Sequence, residues 1–165
     1  MITHDGQPFS PGPDSFFYRL DDPSISYQDM SFARIVRLHG GCFPMLVFGL
    51  MRSEALRRTR GLGPFWAADL VLVAEVRLQG RLLEIPQILY TQRLHAPTPL
   101  WKSRQSKRGE AAWFNPRSKS RMHPELRLFV EYLRGIRHAR LPLGRAFCAY
   151  AAMAGQIEKT AARIV

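Results

Sequence analysis

The sequence predicts an α/β chain: a short, incomplete sheet packed by helices and followed by a helical extension. Two apolar runs carry the prediction. "GGCFPMLVFGLMR", ending at Arg52, reads as a buried strand with glycine punctuation, and "LLEIPQILYTQR", ending at Arg93, reads as one or two short strands. Helical patterns lie between the two runs, and the chain becomes helical again after residue 123.

Residues 1–23 are rich in Pro, Gly, Asp and Ser and read as an irregular arm. In "QDMSFARIVRL", residues 28–38, the apolar side chains Phe32, Ile35, Val36 and Leu38 follow a near-helical period. "SEALRRTRG" reads as a compact helix. Ser53 is placed to cap it, Glu54 suits the positive end of its dipole, and Gly61 is placed to stop it. A further helix is expected from Ala68 to Gln79, closed by Gly80, with Leu72, Val73 and Val76 on its apolar face and Glu75 and Gln79 on a polar one. Pro86 cannot donate to a ladder and marks an edge or a break. Residues 96–123 are polar and basic and read as a loop with at most a short helix. Pro124 and Glu125 open a helix with Leu126, Phe129, Val130 and Leu133 on one face. An alanine-rich helix runs from Leu143 towards the end. The regions divide as an arm over residues 1–23, an α/β region over 24–100, and a basic loop with terminal helices over 101–165.

The chain has 165 residues and is 46% hydrophobic, enough for a core of ordinary size and too apolar for wholesale disorder. Its formal net charge of +11 points to an anionic partner, or simply to a soluble, arginine-rich surface. Cys42 and Cys148 have no metal-ligand spacing and suit reduced thiols in the cytosol. The longest uncharged runs are shorter than the roughly 20 residues a bilayer requires. There is no GxGxxG or GxxxxGK[ST] phosphate loop.

Asp69 is the residue on which a functional reading turns. It opens the apolar side of its helix, where a carboxylate is costly unless hydrogen-bonded. The free N–H groups of the first turn can satisfy it, and it is then a helix-terminal cap. The same arrangement can hold an ionised carboxylate rigidly beside Phe65 and Trp66, where it could take a proton from a sugar hydroxyl.

"VFGLMRSEALRRTRGLGPFWAADLVLVAEVRLQGRLLEIPQILYTQRLH" resembles the acceptor-side half of family-two glycosyltransferases of the A-type fold. The resemblance lies in an ordered set of features. Arg52 ends a strand, a short helix and a glycine turn lead to Asp69, Gly80 and Pro86 follow, and "YTQRLH" closes the segment. "AAWFNPRSKSRMHPELRLFVEYLRGI" is similar to the trailing segment of bacterial members. The resemblance implies an incomplete A-type sheet. It also implies that Asp69 is the general base, that Phe65 and Trp66 face the acceptor, and that Arg93 and His95 lie near the donor diphosphate. A divalent metal, Mg or Mn, would steady that diphosphate, with His95 a candidate ligand. The substrates implied are a nucleotide sugar and an acceptor hydroxyl. The family's donor-binding half and its Asp-x-Asp metal motif precede this region; here only Asp21 and Asp22 stand in their place. The expectation is a half enzyme that transfers little sugar without a donor-binding partner.

The rival expectation is a non-catalytic basic module. Lys102 to Arg121, interleaved with Trp101, Trp113 and Phe114, could hold nucleic acid or another polyanion by stacking and charge. Attachment to a membrane surface ranks last, because the terminal helix has Arg145, Lys159 and Arg163 but a weak polar face. The location expected is cytoplasmic, with attachment to the inner face of the membrane as its variant.

Overall fold

A computed structural model describes residue 7 and residues 31–37, 44–85, 87, 111, 115, 122–157 and 161. Among them the chain is helical. Helix α1 spans Phe32–Arg37, a 3-10 turn spans Pro44–Phe48, α2 spans Ser53–Arg57, α3 spans Ala68–Gln79, α4 spans Pro124–His138 and α5 spans Leu143–Ala154.

The expected sheet is corrected by this result. No strand occurs among the described residues, which does not fit an A-type α/β sheet. The reason is local in the first apolar run. Pro44 has no N–H for a ladder but suits the first position of a helical turn. The turn closes with Gly49 N–H donating to the Leu46 carbonyl at 3.1 Å. Phe48 and Leu50 are exposed rather than buried. In the second run residues 81–85 adopt no regular structure, and Leu83 and Ile85 are exposed. Residues 88–93 lie outside the described residues.

Helix α3 is the hub. Ala68, Leu70, Val71, Leu72, Val73, Ala74 and Leu78 are all buried, so its apolar surface runs round most of the cylinder. It packs on α4, on α1 and on the 3-10 turn, while α1 and α4 both pack on α5. Ile35, Val36, Val71, Val73, Leu128, Ile136 and Met153 meet in one core. Burying an aliphatic side chain of this size contributes about 1.5–3 kcal/mol. The rings of Phe32 and Tyr132 meet edge to face at 6.4 Å, tying α1 to α4.

The ends of the helices follow from their residues. Pro124 occupies the first turn of α4, and His123 Nδ1 accepts from Glu125 N–H at 3.3 Å. Arg145 of α5 donates to the Leu78 carbonyl at 2.7 Å, satisfying an acceptor in the last turn of α3. Two faces differ from expectation. On α4 the buried positions include Glu125, Leu128, Tyr132 and Ile136, while Leu126 is exposed. On α3 Glu75 is buried rather than solvated.

Candidate functional site

The loop from Arg58 to Ala67 joins α2 to α3 and gathers most of the polar chemistry. Arg52, not Ser53, stands at the N-cap of α2, with no side-chain bond to the helix. Thr59 Oγ1 donates to the Leu56 carbonyl at 2.6 Å and accepts from Gly61 N–H at 3.2 Å. Gly61 has φ +71°, a left-handed conformation that glycine adopts without strain.

Arg60 projects from this loop into a network that clamps α3 to α4. Its backbone N–H donates to Glu75 Oε2 and its Nε to Glu75 Oε1, both at 2.7 Å. Nη1 reaches Glu131 Oε2 at 2.7 Å, and Nη2 reaches the Glu131 carbonyl at 2.8 Å. Arg127 Nε and Arg134 Nη1 bind Glu131 Oε1 at 2.9 and 2.8 Å. Burial alone would lower the Arg60 pKa, but its bonds to Glu131 and Glu75 more than offset this and hold it above the ordinary value. Burial would raise Glu131; the facing guanidiniums, Arg60 first, hold it below the usual carboxylate range. The sequence reading missed this network because it placed Glu75 on a solvated face. The available signal was a lone acid amid an otherwise apolar turn, which requires a cation partner when buried.

Asp69 sits at the second position of α3, half-buried. The N-cap is Ala67, held at φ 59° and ψ 32°, a left-handed conformation that is costly for a residue with a Cβ. Asp69 therefore does not occupy the capping position. Its Oδ1 accepts from Leu70 N–H at 3.0 Å, and its own backbone N–H also bonds it. Both donors belong to its own turn. Burial raises its pKa above the ordinary aspartate value, and the two backbone bonds only partly reverse this. Burial, then the charges of Asp69 and Glu125, pushes the Tyr132 phenol well above its usual range, so it stays protonated. The first turns of α3 and α4 thus bring two carboxylates towards one buried tyrosine.

Phe65 and Trp66 precede Asp69 and are half-buried against the core. The Phe65 ring folds over Gly63, where a Cβ would collide with it. The Arg127 guanidinium lies over the ring, 5.5 Å from its centroid, in cation–π geometry. Asn115 Nδ2 donates to the Pro64 carbonyl at 3.1 Å, fixing the loop from a third segment. Phe65 therefore already carries a cation on its ring, while Trp66 stands in the loop three residues before Asp69. Arg93 and His95, expected near a donor diphosphate, lie outside the described residues.

No protein-family model matches the chain, and neither a curated protein nor a solved structure is significantly similar to it. The site has to be read from its own chemistry.

For a divalent metal, the described residues contain no group of three or more His, Cys, Asp or Glu side chains able to hold one. Asp69 and Glu125 alone do not make a ligand set, so no step is assigned to a metal here. No helix among the described residues is long and apolar enough to cross a membrane.

Proposed function

We propose that the chain takes part in sugar transfer from a nucleotide sugar to an acceptor hydroxyl, with Asp69 as general base. The observation that carries the reading is the state of Asp69. It is a half-buried carboxylate at the start of α3, bonded only within its own turn among the described residues, with its proton affinity raised by burial. A carboxylate held in this way accepts a proton more readily than a fully solvated one. As the acceptor oxygen bonds to the anomeric carbon, its proton passes to an Asp69 oxygen. The bond from that carbon to the donor diphosphate breaks, and the nucleoside diphosphate leaves with the electron pair. Trp66 lines the acceptor side, and the Arg127 on Phe65 adds positive charge close by.

The reading rests on this site and on the resemblance of the residues around it, not on a sheet. Donor binding falls to residues other than the described ones, Arg93 and His95 among them. Exposed Cys148 is a free thiol, which suits a reducing compartment, and the same reading places the protein in the cytoplasm. The rival module rests on Lys102 to Arg121, of which only Ala111 and Asn115 are described.

The test is nucleoside diphosphate release from a panel of nucleotide sugars by the chain joined to a family donor-binding half. Asp69→Asn retains shape and hydrogen bonding but removes the base. We expect a rate loss on the order of 10²-fold or more with the fold intact. Equal rates would return Asp69 to a purely structural role.

A further inference from the structure

Helix α5 carries a second apolar face beside its buried one. Ala149 and Met153 are buried against the core. Roughly 100° round the helix from them, Leu143 is 91% exposed, Phe147 75%, Tyr150 43% and, just past the helix, Ile157 57%. With exposed Ala154 these residues recur at alternating steps of four and three, so they form one stripe along the helix. A continuous exposed apolar stripe marks an interaction surface.

Its N-terminal end abuts a basic cleft. Arg140 stands three residues before Leu143, a reach of about 11 Å at most. With Arg60, Arg134, Arg137 and His138 it lines a cleft of about 380 Å³ that has no acidic lining residue. Arg134, Arg137 and His138 share a face of α4 at i, i+3 and i+4. Arg60 and Arg134 are already engaged with Glu75 and Glu131, whereas Arg137 and Arg140 have no carboxylate partner among the described residues. Complementing the C-terminal dipole of α4 would take one or two of these cations, and the cleft holds more. Residues 139–157 contain no Asp or Glu.

We propose that this face docks on an anionic lipid surface. The stripe enters the boundary between headgroups and acyl chains, and the cleft receives a lipid phosphate. A helix lying in that plane buries its apolar side chains about 5–10 Å deep without spanning the bilayer. Arginine forks match phosphate oxygens geometrically. The four–three spacing would also suit a second helix. Arg137, Arg140 and Arg145 gather at the N-terminal end of the stripe, however, against one carboxylate, Glu158, next in sequence to its far end, so a second copy offers little of the complementarity that anionic lipid supplies. This inference is independent of the role of Asp69.

The test is co-sedimentation of the full chain with vesicles of phosphatidylglycerol and phosphatidylcholine in equal parts, against vesicles of phosphatidylcholine alone. We expect binding to the first and little to the second. Phe147→Ser and Leu143→Ser leave the charge unchanged and alter exposed positions; each is expected to weaken binding about tenfold or more. Arg137→Gln with Arg140→Gln is expected to weaken it by about tenfold or more as well. Melting temperatures confirm that each variant folds, and Leu143→Ser stands in if Phe147→Ser does not. Absence of vesicle binding would overturn the proposal, as would binding unchanged by either serine variant. A concentration-dependent dimer that forms without lipid and is abolished by Phe147→Ser would also overturn it, assigning the stripe to a second copy.

Discussion

Arg60 is the residue whose loss should be felt most widely. It bridges two nearly buried carboxylates, Glu75 and Glu131, each with only 4% of its side chain exposed. Removing one partner of a buried pair leaves charge uncompensated, which is far costlier than the net value of the pair. We expect Arg60→Ala to lower stability by roughly 3 kcal/mol, read by urea denaturation; a loss below about 1 kcal/mol would show that the network is dispensable. The same network sets an acid limit. Glu131 has a folded pKa below its ordinary value of 4.5, so its contribution is complete above that pH and is lost as pH falls through the folded value. Melting temperature should therefore fall on acidification below about pH 4.5, and Glu131→Gln should flatten that part of the curve. Asp69 has the opposite sign: its folded pKa lies above 3.8, so ionising it costs stability as pH rises through the folded value. That cost is consistent with a group retained for chemistry.

At the scale of elements, the α3–α4 contact depends on Gly135. A Cβ there would lie 2.9 Å from Glu75 Oε1 and 3.0 Å from its Cγ. The close approach is what lets Glu75 remain between the helices and meet Arg60. Gly135→Ala raises helix propensity, which is worth about 1 kcal/mol in an exposed helix. Overpacking at this point should outweigh it, for a net loss of about 1–2 kcal/mol by thermal denaturation; a stabilised protein would refute the packing argument. The elements also show what the sequence made legible. Helix α3 begins at Ala68 and ends at Gln79 as its pattern indicates, because a proline turn, an acid in the first turn and Gly80 agree on its ends. Helix α4 begins at Pro124 for the same kind of reason. The strands failed where short apolar runs carried no partner information: Pro44 and Gly49 suit a 3-10 turn as well as a broken strand. Burial was the other gap. Nothing local distinguishes the inner face of α5, Ala149 and Met153, from its outer face, Leu143 and Phe147; only packing on α1 and α4 decides it.

At the scale of the whole molecule, two regions of different chemistry stand out. One is the junction of the α3 and α4 N-termini, where the charges of Asp69 and Glu125 act on buried Tyr132. The other is the arginine cleft with the α5 stripe. Asp69 was legible in the sequence as an acid opening an apolar face, but its effect on Tyr132 was not, since Tyr132 lies more than fifty residues away in the chain. The central claim is that Asp69 accepts the acceptor's proton. The most direct test is the pH dependence of nucleoside diphosphate release by the chain joined to a donor-binding half, measured for the wild type and for Asp69→Asn. A base must be ionised, so the wild-type rate should fall on the acid side with an inflection above pH 3.8, the ordinary value from which Asp69 is raised. The variant should run on the order of 10²-fold slower and lack that limb. The same acid limb and the same rate in both proteins would contradict the claim.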